Sequence, residues 1–83
     1  MKVTVRYFAS IREAIGHASE VLETDATSVA ALRDVLIARG TQYQDALSTE
    51  RAVRMALNQS VCEASAPLLD NCEVAFFPPV TGG

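Results

Sequence analysis

The sequence predicts an α+β domain in which a mixed sheet of four or five strands packs against one main helix. Three observations favour this fold class. Residues 2–9 alternate apolar with polar side chains, which is the period of a half-buried strand. Residues 29–39 repeat their apolar side chains at helical spacing. Short strand-like segments flank this helix on both sides in the chain, so we expect strands and helix to share one core.

The first predicted strand, residues 2–9, has a defined inner face. Val3, Val5 and Tyr7 lie on one side of it, and we expect them to face the main helix. Phe8 stands on the opposite, polar side. It either packs under the following helix or belongs to an exposed patch that binds a partner.

A short helix and a second strand come next. Ser10 and Glu13 have the spacing of a capping box, and Gly16 can end the helix in a left-handed conformation. The chain then returns as a strand over residues 17–24. The apolar stripe predicted for the short helix consists of Ile11, Ala14 and Ile15.

The main helix is predicted over residues 29–39, after an N-cap at Thr27 or Ser28. Gly40 is expected to cap its C-terminus. Arg33 is expected to face solvent. The predicted inner face of the helix consists of Val29, Leu32, Val35 and Leu36.

The second half of the chain contains three further predicted strands. The polar stretch 41–50 is expected to form a single amphipathic turn over one end of the core. Residues 52–57 and 61–63 are predicted as two strands that a turn at 58–59 connects. The last strand covers residues 73–77. If it pairs parallel to the first strand, its inner side chains join the same core.

The chain divides into a domain, residues 1–77, and an extended tail, residues 78–83. The tail consists of Pro78, Pro79, Val80, Thr81, Gly82 and Gly83. Its two prolines favour a semi-rigid, extended exit from the last strand. Its two glycines lack a Cβ and can pass through a narrow channel. At roughly 3.3–3.6 Å per residue the tail reaches about 20 Å. The alternative is a frayed terminus that has no function.

Composition limits the classes of function that the chain can have. Its 83 residues suffice for one small core. The net charge of −3 and the pI near 4.9 oppose binding to nucleic acid and to anionic membranes. The sequence has no apolar run of roughly 20 residues and no signal-peptide pattern, so we expect a cytoplasmic protein without a membrane partner.

No self-contained active site or metal site is recognisable in the sequence. Cys62 and Cys72 lack the paired spacing of zinc ligands and do not form a disulfide framework. We predict them to be small, buried or half-buried apolar residues. The acidic neighbours Glu63 and Glu73 oppose thiolate formation. His17, the only histidine, has no partner in a motif and is expected on the surface.

Four segments carry a resemblance to a known family. They are Tyr7-Phe8-Ala9 with Ile11-Arg12-Glu13 and Gly16, then Val29-Ala30-Ala31-Leu32-Arg33, then Ala56-Leu57-Asn58-Gln59, and finally residues 70–83. In these segments and in the order of its elements, the chain resembles the small subunit of molybdopterin synthase, a ubiquitin-like β-grasp sulfur carrier. The departures are Leu57, where the family usually has Val, and Asn71-Cys72, where Gly-Asp is commoner.

The resemblance implies a sulfur cycle with two stages. An ATP-using activating enzyme adenylates the Gly83 carboxylate, and a persulfide donor then converts it to a thiocarboxylate. The large synthase subunit, in a 2+2 heterotetramer, binds a cyclic pyranopterin precursor that receives the sulfur on the way to the dithiolene of molybdopterin. The chain alone is not catalytic and holds no permanent cofactor, because its partners bind the ATP and the pterin.

The resemblance also assigns roles to single residues. Gly83 carries the sulfur, Gly82 provides the slender backbone beside it, and residues 78–81 position the tail. The residues expected to contact a partner are Phe8, Phe77 and Arg12, which can pair with an acidic group of the activating enzyme. Aromatic side chains suit this role because they offer a large contact area at a low entropic cost. The alternatives are a core position for Phe77 and a solvated charge for Arg12.

Two alternative functions remain open. One is a ubiquitin-like protein modifier that forms isopeptide bonds with lysines of target proteins. The other is a sulfur carrier for a different thiolation pathway. The single lysine of the chain, Lys2, limits self-ligation under every one of these readings and does not distinguish them.

Overall fold

The computed structural model describes residues 1–79. The predictions made for Val80, Thr81, Gly82 and Gly83 therefore lie outside the described residues. In chain order the elements are β1 (Lys2–Tyr7), α1 (Ala9–Ile15), β2 (Ser19–Glu23), α2 (Val29–Ile37), α3 (Thr41–Leu47), β3 (Arg54–Leu57), β4 (Ser60–Cys62) and β5 (Cys72–Phe77). The predicted α+β fold with a mixed sheet and a main helix is confirmed, and two shorter helices, α1 and α3, accompany α2.

The five strands form one sheet in the order β2-β1-β5-β3-β4. The central strands β1 and β5 are parallel, as expected, with Val5 opposite Val74 and Tyr7 opposite Phe76. All other neighbours are antiparallel. Because parallel strands run in the same direction, β1 and β5 end at the same end of the sheet, which we call the tail end. Pro78 and Pro79, which follow β5, therefore lie at this end.

The core lies between one face of the sheet and the helices. Alternate residues of β1 and β5 point into it, as the strand period of two requires. Its side chains include Val3, Val5, Tyr7, Leu32, Leu36, Cys72, Val74 and Phe76, each at most 3% exposed.

Two predicted core residues are exposed, Val35 on α2 and Ala14 on α1. Each lies roughly 80–90° around its helix from the centre of the buried stripe, so the stripe was predicted too wide.

The second face of the sheet is not covered by a described helix, and we call it the open face. Residues that alternate with the core residues lie on it, because cross-strand partners share a face. In the centre of the open face are Arg6, Ala56, Val61, Glu73, Ala75 and Phe77. This face is the part of the sheet that is available to a binding partner.

The start of α1 differs from the prediction. The capping box of Ser10 and Glu13 is wrong, because Phe8 is the N-cap residue and no side chain caps the helix. Ala9 turns the chain with a φ of 52°, so Ser10 already lies inside the helix. Gly16 ends α1 in the left-handed conformation, with a φ of 98°, as predicted.

The ends of α2 are set by Ser28 and Ala38. Ser28 is the N-cap, as expected, since its Oγ accepts a hydrogen bond from the Ala31 N–H at 3.1 Å. The predicted C-cap at Gly40 is wrong, because α2 ends at Ile37 with Ala38 as its C-cap, and Gly40 is the N-cap of the next helix. The polar stretch that follows is a complete helix, α3, and the extended backbone of Gly40 separates the two helices.

Arg33 is not directed freely into solvent, which corrects the prediction. Its Nε donates a hydrogen bond to the Leu47 carbonyl at 2.7 Å, and one of its terminal nitrogens donates to the Ser48 carbonyl at 2.8 Å. The last carbonyls of a helix have no donor within that helix. Arg33 therefore satisfies the end of α3 and joins α3 to α2. Burial lowers the pKa of Arg33, although a guanidinium keeps its charge in proteins.

A tight turn at Asn58 and Gln59 joins β3 to β4, as predicted. Both residues have positive φ angles, 50° and 72°, which a type I′ turn requires. The Asn58 Oδ1 accepts a hydrogen bond from the Glu73 N–H at 2.9 Å. The side chain thus fixes the turn against β5.

Candidate functional site

The open face contains an apolar groove at the tail end of the sheet. The groove has a volume of about 750 Å³. Its apolar lining consists of Phe8, Ala9, Ala56, Val61, Ala75, Phe77, Pro78 and Pro79. Because Pro78 and Pro79 belong to this lining, the groove is continuous with the start of the tail.

The groove follows from the order of side-chain sizes along the strands. Ala56 lies opposite Ala75 on one side and opposite Val61 on the other, so two small side chains form the floor of the open face. Larger apolar side chains border this floor, and Val61 is 64% exposed. A patch of this kind on a small domain is typical of a protein–protein contact.

Charged side chains stand beside the apolar groove. The Arg6 guanidinium lies 5.8 Å from the centre of the Phe8 ring, and its nitrogen is 3.9 Å from an Oε atom of Glu73. Arg54 pairs with Phe77 across β3 and β5, so its side chain shares the open face. An exposed ion pair contributes less than about 1 kcal/mol. Arg6 and Glu73 can therefore give up their ion pair and form ion pairs with charged side chains of a partner at little cost.

The predicted partner-binding residues are only partly brought together. Phe8 is 43% exposed and lines the groove, which favours its predicted position in an exposed patch. Phe77 is half-buried on the open face and lies outside the core cluster. Both line the groove with the two prolines. Arg12 is exposed on α1 and is not among the groove-lining residues.

A polar cluster that the sequence did not predict is centred on Glu20 of β2. One of its Oε atoms accepts hydrogen bonds from the Tyr7 hydroxyl at 2.8 Å, the His17 Nε2 at 2.9 Å and the Tyr43 hydroxyl at 3.0 Å. The Arg39 guanidinium donates to the other. His17, for which the sequence shows no partner in a motif, thus contacts Glu20 in the fold, and its ring is partly exposed as predicted.

The pKa of Glu20 reflects these four donors. Burial alone would raise it, but the hydrogen bonds from His17, Arg39, Tyr7 and Tyr43 outweigh burial and lower the pKa to about 2. For Tyr7, burial and the bond to Glu20 raise the pKa of the hydroxyl. Glu20 is thus ionised at neutral pH and Tyr7 is neutral.

The cluster is connected to the tail end through Tyr7. The Tyr7 ring stacks against Phe76, with the ring centres 6.4 Å apart. Phe76 immediately precedes Phe77, and the Phe76 carbonyl accepts a hydrogen bond from the Phe8 N–H.

One sequence signal for the Glu20 cluster was present, because Glu20 occupies an inward position of β2 beside Leu22. The contacts with Arg39 and Tyr43 join distant segments and had no such signal.

Neither cysteine has the surroundings of a reactive thiolate. Cys72 is buried in the core, and Cys62 is half-buried on β4. Burial raises the pKa of the Cys62 thiol. Within residues 1–79, no three His, Cys, Asp or Glu side chains lie close enough to hold a metal ion. No helix in this part of the chain has the length and apolar character to cross a membrane.

Comparison with known sequences finds one family and full-length relatives. The model of the ThiS family matches residues 5–83. A protein of Escherichia coli strain K12 named molybdopterin synthase sulfur carrier subunit is 38% identical over 81 residues, which cover 98% of this chain and 99% of that protein. The similarity thus extends from the first strand to the end of the tail.

Comparison with solved structures finds the same fold. SAMP1 from Haloferax volcanii superposes with a TM-score of 0.77 at 20% identity, with all of both chains covered. A chain in the complex of subunits 1 and 2 of molybdopterin-converting factor from Helicobacter pylori gives a TM-score of 0.70 at 25% identity, again over both whole chains. These likenesses establish the ubiquitin-like β-grasp arrangement.

Proposed function

The chain belongs to the ThiS family, and we propose that it is the sulfur-carrier subunit of a molybdopterin synthase. The observation that carries this proposal is the full-length match to relatives of that name, at 36–38% identity. The fold supports it, because β5 ends beside the groove and the first residues of the tail, Pro78 and Pro79, line that groove.

The chemistry that we propose takes place on Gly83. A carboxylate is a poor electrophile at neutral pH, and adenylation by an ATP-using enzyme supplies AMP as a leaving group. A persulfide donor then provides the sulfur, and the thiocarboxylate of Gly83 transfers it to a pyranopterin precursor. Gly82 and the tail segment 78–81 position the sulfur. The chain itself holds no permanent cofactor.

The acid and base groups of the reaction belong to the large synthase subunit. The groups of residues 1–79 that have strongly shifted pKa values, Glu20 and Tyr7, are engaged with each other on the helix side of the sheet. They do not face the groove. We propose that the large subunit supplies the pocket that holds the pterin, in a 2+2 heterotetramer located in the cytoplasm.

The apolar groove is the proposed docking site for that subunit. Phe8 and Phe77 offer aromatic contact area directly beside the first residues of the tail. A partner that covers the groove would therefore also receive the tail. Arg12, on α1, is proposed to contact the activating enzyme through an acidic side chain, separately from the groove.

A reconstituted reaction tests the proposal. The protein is incubated with the activating enzyme, ATP and a sulfur donor, then with the large subunit and precursor, and dithiolene formation is measured. Gly83→Ala should fold normally, because the core ends at Phe76, and should lower transfer at least about tenfold, because the added methyl disturbs the reacting end. Gly40→Ala is the control, since a Cβ there meets no atom within 4 Å.

Two results would contradict the proposal. Normal turnover by Gly83→Ala would show that the reacting end tolerates a side chain, which contradicts the proposed role of the terminal glycines. Covalent adducts between this chain and lysines of other proteins, formed in cells without any thiocarboxylate, would favour the protein modifier instead.

A further inference from the structure

We propose that the tail end of the sheet is kept free of nucleophilic amines, so that the activated C-terminus does not acylate its own chain. The inference rests on the proposed function, because only an activated carboxyl group needs this protection. Of the seven Lys and Arg residues in the sequence, six are arginines and one is Lys2. The position of Lys2 in the fold, and those of the arginines nearest the tail, carry the inference.

The amines lie at the far end of the sheet. Lys2 begins β1. Because Val3 lies opposite Cys72, Lys2 is level with Asn71, which is six residues before Phe77 along the strand direction. At about 3.3 Å per residue this separation is roughly 20 Å. The Met1 amine is at the same end and donates a hydrogen bond to the Thr24 carbonyl at 2.9 Å. The tail, also roughly 20 Å long when extended, would have to fold straight back to reach either amine.

The cations near the tail are all arginines. Arg6 lines the groove together with Pro78 and Pro79, and Arg54 lies opposite Phe77. Arg51 and Pro78 line a second, smaller cavity of about 230 Å³. All three arginines are exposed. Each of these arginines therefore lies close to the first residues of the tail, whose six residues have an extended length of roughly 20 Å.

The chemistry of the two cations differs at an activated carboxyl group. A lysine that loses its proton attacks the acyl carbon, the C–N bond forms, and the bond to the AMP oxygen breaks with its electron pair leaving on AMP. The amine proton passes to water, and no group is oxidised or reduced. A guanidinium stays protonated and delocalised, so it supplies charge without a nucleophilic lone pair. Proximity would make the lysine reaction fast, because an intramolecular nucleophile has a high effective concentration.

A lysine exchange isolates this effect. The double variant Lys2→Arg, Arg54→Lys has the same composition and mass as the wild type, but its single lysine lies beside Phe77. A second double variant, Lys2→Arg with Arg6→Lys, repeats the test on β1. Each protein is released from an intein fusion as a C-terminal thioester, which needs no activating enzyme. Thermal unfolding verifies that each variant is folded.

Intact mass and peptide mapping give the readout. Each exchange variant should form an internal amide, about 18 Da lighter than the free acid, at least about tenfold faster than the wild type and at a rate independent of protein concentration. Peptide mapping should place the amide at position 54 or 6. Hydrolysis of both variants at the wild-type rate without an amide, or equally fast amide formation on Lys2 or Met1 in the wild type, would overturn the inference.

A parallel reaction with ATP and the activating enzyme separates this inference from the proposed function. Failure of every variant to form an adenylate would contradict the proposed function, while the thioester result would still decide the inference. If the adenylate does form, the exchange variants should lose thiocarboxylate in favour of the internal amide.

Discussion

Glu20 accepts hydrogen bonds from four side chains that belong to different parts of the chain. Tyr7 comes from β1, His17 from the loop before β2, Arg39 from the connection between α2 and α3, and Tyr43 from α3. The Glu20 carboxylate therefore links the sheet layer to the helix layer of the domain. Because its side chain is only 16% exposed, water compensates little for the loss of these bonds.

Acid should weaken the protein through Glu20. The folded pKa of about 2 is below the ordinary value of 4.5, so the unfolded chain binds more protons between these values. The stability that Glu20 contributes is complete above about pH 4.5 and is lost as the pH falls towards 2. We expect a loss on the order of 2–3 kcal/mol across this window, measured by urea unfolding.

Two carboxamide variants isolate this contribution. Glu20→Gln should flatten the decline in stability between pH 5 and 2, because the titrating group is gone. Glu23→Gln should retain the decline, because Glu23 is 75% exposed and lies 3.7 Å from the Met1 amine in a weak ion pair. An undiminished decline in Glu20→Gln would show that other groups control the acid transition.

The thiols should be dispensable for sulfur transfer. Cys72 is buried and Cys62 is half-buried with a raised pKa, so neither is a reactive thiolate. The double variant Cys62→Ser, Cys72→Ala should transfer sulfur at the wild-type rate per folded molecule. Alanine is preferred at position 72 because serine would bury a hydroxyl group. Loss of transfer with the fold preserved would assign the sulfur to a cysteine.

The elements differ in how well local sequence determines them. The turn at Asn58 and Gln59, the Ser28 cap and the Gly16 end of α1 depend on chemistry within a few residues, and the sequence predicted all three. The start of α1 and the end of α3 involve contacts from elsewhere in the chain, and at the start of α1 the Phe8 N–H donates a hydrogen bond to the Phe76 carbonyl. Arg33, for example, binds carbonyls 14 and 15 residues away, which no local pattern encodes.

Gly16 should be the glycine that the domain tolerates least when it is replaced by alanine. Its φ of 98° is a conformation that L side chains rarely adopt, while a Cβ there meets no atom within 4 Å. Gly16→Ala should therefore lower the free energy of unfolding by about 1–2 kcal/mol through backbone strain alone. Gly40→Ala is the matched control, because its φ of 161° is extended and the space around it is equally open. Equal stability of the two variants, measured by urea unfolding, would contradict this account.

At the scale of the whole molecule, the groove and the start of the tail form one surface. The sequence predicted its two aromatic residues, because Phe8 broke the alternation of β1 and Phe77 preceded the prolines. It did not predict the floor of Ala56 and Ala75, which depends on the register of β3 against β5. Arg12, which was predicted to contact the activating enzyme, lies on α1 outside this surface.

Polar substitutions in the groove should weaken docking more than they weaken the fold. We expect Phe8→Ser and Phe77→Ser each to raise the Kd for the large subunit at least about tenfold, measured by titration calorimetry. Val21→Ser is the control, because Val21 is 60% exposed on the open face of β2 but does not line the groove. Equal effects of all three substitutions would show that the groove is not the docking site.

The most direct test of the central claim is the intact mass of the protein purified gently from its native cells. A sulfur carrier should contain a fraction that is heavier by about 16 Da, because sulfur replaces one carboxyl oxygen. Peptide fragmentation should place that mass on Gly83, and chemical tests should exclude oxidation. An unmodified mass that persists after incubation with ATP, the activating enzyme and a sulfur donor would contradict the account.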